Sequence, residues 1–310
     1  MSAEVAGEAP RFGYVAVVGR PNVGKSTLVN RLVGAKISIV SRRAQTTRAS
    51  VLGICTRGHI QAALIDTPGV HEDARRVLNR AMVRNALSAI ENADVGVFLA
   101  EATGVRALDR TVLDRVMRVK KASALPWICC LTKSDLVRPR ERLLEHIAAV
   151  NALGDWHAII PVSARKDQGV SDLEEHVGAL LPNGPHHFPR DHLSDRSVRF
   201  MAGEIVREQL MRQLGDEVPH RTAVQIEAFK ESRKIVHISA AIVVERGGQK
   251  AIVIGAKGER LKSIGSKART GIETLLGRQV NLKLWVRVRP NWSNSEKAVR
   301  ALGIDETHDS

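Results

Sequence analysis

The sequence predicts an α/β domain, with a mostly parallel sheet and helices on both faces, followed by a smaller α+β domain. Three observations carry this reading. Short apolar runs alternate with helically spaced segments over residues 1–182, the pattern of a parallel sheet covered on both faces. The stretch LPNGPHHFPRDHLSD (181–195) has three prolines and a glycine and no apolar period, and marks a linker at 183–196. Residues 197–310 then change character, with paired strand-like runs and glycine-joined helices in a module of ordinary domain size.

In the first domain, GYVAVVG (13–19) reads as a buried strand ending in glycine, and STLVNRLV (26–33) has helical spacing. HIQAALIDTPG (59–69) is a strand and then a turn. ALSAIENADVGVFLAEA (86–102) closes a helix and runs into another buried strand. LPWICCLTKSD (125–135) and HAIIPVSA (157–164) are two further apolar runs, with helical segments between them. In the second domain, SVRFMAGEIVREQLMRQLG (197–215) reads as an amphipathic helix. AVQIEAFK (223–230) and IVHISAAIVVE (235–245) are consecutive strands. AIVIGAKGERLKSIGSKARTGIETLLG (251–277) is two helices joined at a glycine loop, and QVNLKLWVRVR (279–289) is a last alternating strand.

The 310 residues carry a formal net charge of +14. Much of it is local: Arg246 to Arg289 holds eleven basic residues and two acids, 11 − 2 = +9. Such a cluster around a glycine loop marks a polyanion partner. Nucleic acid is preferred, and an anionic membrane surface is the alternative. No apolar run approaches the roughly 18 residues of a spanning helix. MSAEVAGEAPRFG is not basic then apolar, so no signal peptide is expected, nor any lipidation motif. Three cysteines, an odd number with two adjacent, argue against a disulfide framework and for a reducing cytoplasm. His186, His187 and His192 are too few to read as a zinc site and fall in the linker.

The chemistry concentrates in loops behind strands. VVGRPNVGKST places Gly19, then four residues, then Gly24-Lys25-Ser26, directly after a strand and at the start of a helix. Glycines let successive N–H groups converge on phosphate oxygens, and the helix N-terminus adds its positive end. The residues are Gly19, Arg20, Pro21, Asn22, Val23, Gly24, Lys25, Ser26 and Thr27. Lys25 reaches the β and γ phosphates, and Ser26 offers a hydroxyl to Mg²⁺. Asp66-Thr67-Pro68-Gly69 follows a second strand: Asp66 suits Mg²⁺, and the Gly69 N–H suits a γ-phosphate. SRRAQTTRAS (41–50) lies between them. Thr46 and Thr47 are both candidates to complete the magnesium shell, with Thr47 preferred. Thr132-Lys133-Ser134-Asp135 is one residue from the guanine-reading Asn-Lys-x-Asp, and Ser163-Ala164 follows the next strand. Asp135 would accept from N1–H and the 2-amino group of guanine, a pair that adenine lacks.

These motifs, in this order, are those of translation-factor-like GTPases. GRPNVGKSTLVN, QTTR, DTPGV, VIGAKGERLKSIG and LKLWVRVRPNWSNSEKAVRALGI together resemble the Era family of bacterial GTPases over nearly the whole chain. The resemblance implies a P-loop GTPase domain and a type II KH domain. It implies GTP hydrolysis with Mg²⁺, binding to 16S rRNA near its 3′ end, and a role in 30S ribosomal subunit biogenesis. Lys133 would lie along the base and the Ala164 N–H would face guanine O6. Thr132 departs from the usual Asn, which ties the base loop to the phosphate loop. A threonine hydroxyl can replace part of this, and losing one neutral hydrogen bond costs on the order of 0.5–1.5 kcal/mol, so weaker GTP binding is expected and lost specificity is not. Val70 stands where Ras-like proteins carry a water-orienting glutamine, so catalysis is expected to rest mainly on phosphate positioning, Mg²⁺ and charge neutralisation, and the resemblance implies Lys25, Thr47 and Gly69 as the catalytic residues. Asn22 resembles the asparagine with which related GTPases hold K⁺, so K⁺ is expected as a second ion. Arg20 is expected either to act on the phosphates or to face solvent. Hydrolysis is expected to be slow and stimulated by K⁺ or the ribosome.

Gly255-Ala256-Lys257-Gly258 matches the KH G-x-x-G loop, which clamps about four nucleotides. Arg260 and Lys262 add phosphate contacts beside Lys257. Trp285 and Trp292 are available for stacking, with Trp285 expected in the core. Two other readings stand beside the first. One is an RNA-binding assembly factor with GTP as a structural ligand. The other is a membrane-surface signalling GTPase, for which a weak peripheral association with the inner face of the membrane fits the charge. A cytoplasmic monomer is expected.

Overall fold

The computed structural model describes residues 8–41, 43, 46–69, 76–119, 124–215 and 218–304; Val70 lies outside them. Contacts gather the described residues into two units. One falls within Met1–Ile37, Ser50–His71 and Arg84–Asp195, and the other within Ser38–Ala49, Glu72–Val83 and Arg196–Ser310.

The first unit holds the six-stranded sheet β2-β3-β1-β4-β5-β6. Its strands are β1 (Arg11–Gly19), β2 (Val51–Arg57), β3 (Ile60–Asp66), β4 (Val95–Glu101), β5 (Trp127–Thr132) and β6 (Ala158–Val162). All neighbours are parallel except β2, which runs antiparallel to β3. The centre of the sheet is apolar without alternation because both faces are buried. Ala16, Val18, Phe98, Ala100, Cys129 and Leu131 join one cluster with Ala86 and Ile90 of α2 (Val77–Glu91), Val112 and Val116 of α3 (Ala107–Met117), and Val150 of α4 (Arg142–Asn151). α1 (Lys25–Val33) and α5 (Val170–Leu180) lie against β3 and contribute nothing to that cluster, so they cover the opposite face.

Residues 183–195, expected as a linker, are fastened to this sheet. The Gln61 side chain accepts from the N–H groups of His187 and Phe188 and donates to the Phe188 carbonyl at 2.9 Å. The His187 ring stacks on Phe12 with centroids 3.9 Å apart. Asn183 and Ser194 form isolated bridges to Arg11 and Gly53. A segment without apolar period has been held by side-chain bonds instead.

The second unit runs α6 (Val198–Gln213), β7 (Thr222–Glu231), β8 (Ile235–Val244), α7 (Gly247–Ile254), α8 (Glu259–Leu276), β9 (Gln279–Val288) and α9 (Glu296–Ala301). Its sheet is β7-β8-β9, with β7 antiparallel and β9 parallel to β8. Val236, Ile238, Ile242 and Val244 of the central strand face Ala202, Val206, Ile264, Ala268 and Ile272 of the helices. α6 is not the amphipathic helix expected: Arg207, Glu208 and Gln209 are buried along with its apolar residues. A further cluster joins Val77, Leu78, Ala81 and Met82 from the start of α2 to Ala223, Val243, Trp292, Ala298 and Val299. Trp292 is therefore core, and its indole donates to the Arg221 carbonyl at 3.2 Å. Trp285, expected in the core, is only partly buried.

Candidate functional site

Four loops of the first unit leave the carboxyl ends of β1, β3, β5 and β6, where open α/β sheets bind their ligands. The phosphate loop turns out of β1 at Gly19, whose added Cβ would lie 2.8 Å from the Leu99 carbonyl. It enters α1 through Asn22 and Gly24, at φ 63 and 118. Lys25 folds back under the loop, and its Nζ donates to the Gly19 and Arg20 carbonyls, both at 3.0 Å. Burial pushes this ammonium down to about 8; the Asp66 charge opposes the shift and that of Arg20 adds to it.

The second loop is held against the first. The Thr67 hydroxyl donates to the Val17 carbonyl at 2.7 Å. A Cβ at Gly69 would meet the Pro21 backbone at 2.9 Å and its ring at 3.0 Å, so the two loops approach there as closely as a glycine allows. Asp66 is fully buried at the end of β3. Ser26 and Asp66 offer only hard oxygen donors, with a carboxylate shielded from bulk water, and this donor set fits Mg²⁺.

The base loop is tied to the phosphate loop twice. The Thr132 hydroxyl donates to the Val23 carbonyl at 2.6 Å, and Lys133 Nζ donates to the Asn22 carbonyl at 3.0 Å. The Thr132 hydroxyl thus makes the link between the loops that a threonine was expected to replace in part. Lys133 adopts the left-handed region, φ 59, which turns the chain out of β5. Ser163, buried behind β6, donates its hydroxyl to Asp135 Oδ1 at 2.6 Å. Ala164 follows it, half-buried.

Arg20 departs from both expectations. It points neither outward nor into the loop's concavity, but inward, 2.9 Å from Glu101 Oε2 and 3.0 Å from Asp109 Oδ1. Glu101 also receives Arg106 and Lys133. Asp109 is fully buried, and its other oxygen accepts the Arg106 N–H to cap α3. Burial pushes the Asp109 carboxyl up, against the lowering pull of that N–H and of Arg20. Sequence reasoning missed both acids. The available signal was an acid closing the otherwise apolar run VGVFLAE, since a carboxylate at the end of a buried strand needs cationic partners.

Thr46 and Thr47 are not among the residues the first unit assembles; their segment belongs to the second unit. There Thr47 is buried and the Thr46 carbonyl accepts from Arg207. Beside it Arg48 donates to the carbonyls of Thr222, Pro219 and His220 at 2.6 to 3.1 Å. Burial pushes Arg48 down to about 9, assisted by the Arg207 charge.

The G-x-x-G loop of the second unit links α7 to α8. Gly255, Lys257 and Gly258 all have positive φ, at 73, 48 and 80. Ala256 and Lys257 are exposed, and so is Arg260, whose guanidinium donates to the Ile252 carbonyl at 2.8 Å. Lys262 lies one residue beyond Leu261 on α8.

Family models match twice. Residues 14–133 match the 50S ribosome-binding GTPase family, and residues 217–293 match the KH domain family. The chain is 49 % identical to the GTPase Era of Marinobacter nauticus over 96 % of both chains. It is 46 % identical to that of Pseudomonas aeruginosa over 96 % of both. Among solved structures, an Era in complex with MgGDPNP and nucleotides 1506–1542 of 16S ribosomal RNA superposes with a TM-score of 0.90 at 39 % identity, covering 95 % of this chain and 99 % of that one. A point variant of Aquifex aeolicus Era bound to GDP·AlF4⁻ gives 0.90 at 38 % identity, with the same coverage. With its phosphate loop, base loop and KH loop all formed, this chain belongs to the GTPase Era family.

Proposed function

We infer that this chain binds GTP, hydrolyses it to GDP and phosphate, and binds 16S rRNA near its 3′ end in the course of 30S subunit biogenesis. The observation that carries the nucleotide half is the double tie of Thr132 and Lys133 to the carbonyls of Val23 and Asn22, which makes one site of the base and phosphate loops. Asp135, oriented by Ser163, accepts two donors from guanine that adenine does not have. The Lys133 stem lies along the base. The backbone N–H groups at the start of α1 cradle the phosphates, and Lys25 exchanges its carbonyl partners for β and γ oxygens. The Gly69 N–H meets the γ-phosphate. Ser26 and Asp66 would hold Mg²⁺, which would neutralise charge on the phosphate oxygens; Thr47, grouped with the second unit, is not counted in that set. Arg20 is committed to two carboxylates and supplies no finger. K⁺ beside the exposed Asn22 fits the need for another charge there; equal turnover in Na⁺ and K⁺ would rule it out.

The RNA half is carried by the positive φ at Gly255 and Gly258, which lets the backbone approach a sugar-phosphate, within a stretch of charge +9. Lys257, Arg260 and Lys262 supply three phosphate contacts, for which log K should fall with log salt at a slope of about −2. Free, buried Cys55, Cys129 and Cys130 support a cytoplasmic location; peripheral association with the membrane's inner face rests on charge alone. The test is GTP turnover with and without 30S subunits, alongside binding to the 3′ segment of 16S rRNA across a salt series. Turnover is expected to rise with 30S. A chain that prefers ATP, or RNA binding that ignores salt, would overturn the reading.

A further inference from the structure

We propose that Glu101 is a positioning residue for nucleotide binding, holding Lys133 of the base loop against the phosphate loop. This rests on the guanine-nucleotide reading above. Glu101 closes β4, between the ends of β1 and β5, and is almost fully buried. Its two oxygens serve different loops. Oε1 accepts from Lys133 Nζ, and Oε2 forms an ion pair with Arg20 of the phosphate loop at 2.9 Å and accepts from Arg106 at 3.3 Å. One carboxylate therefore spans both halves of the site. Lys133 has one other anchor, the Asn22 carbonyl, and Glu101 is its charged one. Burial alone would raise the Glu101 carboxyl; the bond from Lys133 and the charges of Arg20, Lys133 and Arg106 outweigh it and hold the group low, hence ionised.

A lysine fixed at its tip has already lost the rotamer freedom of its stem before the base arrives, so binding need not supply that entropy. Released at Glu101, the stem must be ordered by the nucleotide itself. Asp109 provides the internal comparison. It shares Arg20 with Glu101 and is as deeply buried, but its other partner is the Arg106 N–H rather than Lys133. Damage that acts only through Arg20 or through the fold appears at Asp109 as well; an effect through Lys133 does not.

The experiment is a double-mutant cycle on GDP affinity, with Glu101→Gln and Lys133→Ala singly and together. Glu101→Gln should weaken GDP about tenfold, the scale of one hydrogen bond to a charged group, and leave kcat at saturating GTP within about twofold. In the Lys133→Ala background the same change should add less than about twofold, whereas Asp109→Asn should cost equally in both backgrounds. Should the glutamine variant fail to fold, Glu101→Asp keeps a negative charge in the buried cluster, draws the carboxylate back by one methylene and serves the same cycle, with Asp109→Asn again reporting effects that run through Arg20. An equal loss in both backgrounds, or none in the wild type, overturns the proposal. Wild-type protein that does not bind GDP would instead sink the nucleotide reading itself.

Discussion

At the residue scale, the phosphate-loop motif was legible because its geometry is local: glycines at fixed spacing between a strand and a helix can hardly do otherwise. Lys25 shows what the spacing does not reveal. Held at about 8 by burial, it binds fewer protons in the folded chain than in the unfolded one between pH 8 and 10.5. The sign follows: stability without nucleotide rises with pH through that window, by up to about 3 kcal/mol, and the contribution disappears in Lys25→Met. Phosphates raise the group again, so GDP binding at pH 8.5 should take up a proton, seen in calorimetry as a dependence on buffer ionisation enthalpy. A proton count of zero would contradict the burial. Thr132 departs from the usual Asn, and its hydroxyl makes the link to Val23. Thr132→Val should weaken GDP by roughly 2- to 13-fold, the range of one neutral hydrogen bond. Thr132→Asn should change it little, and a clear tightening by asparagine would show that the hydroxyl leaves part of the role unfilled.

At the element scale, the strands that build the nucleotide site were read in order because each is a buried run followed by a polar turn. β2 was not, since nothing in VLGICTR marks an antiparallel edge. The Gln61 amide that binds residues 187–188 was equally invisible, because one side chain on a neighbouring strand decides it. The G-x-x-G loop was legible as a motif but not in its internal asymmetry. A Cβ at Gly255 would fall 2.7 Å from Arg260 Cβ, whereas one at Gly258 meets open space. Gly258 lies in the left-handed region (φ 80, ψ 7), which costs an alanine on the order of 1 kcal/mol, whereas Gly255 (φ 73, ψ 176) lies in a region essentially restricted to glycine and costs more. Gly255→Ala must also push Arg260 out of its bond to the Ile252 carbonyl. RNA affinity should therefore fall further for Gly255→Ala than for Gly258→Ala, while GDP affinity stays at the wild-type value in both. Equal losses would mean that neither the Arg260 contact nor the glycine-only backbone at Gly255 sets the loop.

At the scale of the whole molecule, the two units are not two lengths of chain. The described residues within 38–49 and 76–83 are grouped with the C-terminal unit, although the sequence runs through them between nucleotide motifs. Periodicity cannot show this, because it depends on which distant surface a segment finds. Leu78 and Met82 are almost fully buried beside Trp292, and Arg48 closes three carbonyls around residues 219–222. Burial of one such apolar side chain is worth about 1.5–3 kcal/mol, so Leu78 and Met82 together supply roughly 3–6 kcal/mol. That is a large part of the 5–15 kcal/mol that holds a typical domain. A fragment of residues 196–310 keeps the G-x-x-G loop and loses all of it. Its urea midpoint should fall well below that of the same unit in the full chain, and its exposed Trp292 face should bind a hydrophobic dye. Leu78→Ala in the full chain gives the matching point change, with an expected loss of about 2–5 kcal/mol in that unit. A fragment as stable as the unit in place would mean that the first turns of α2 are passengers rather than part of its core.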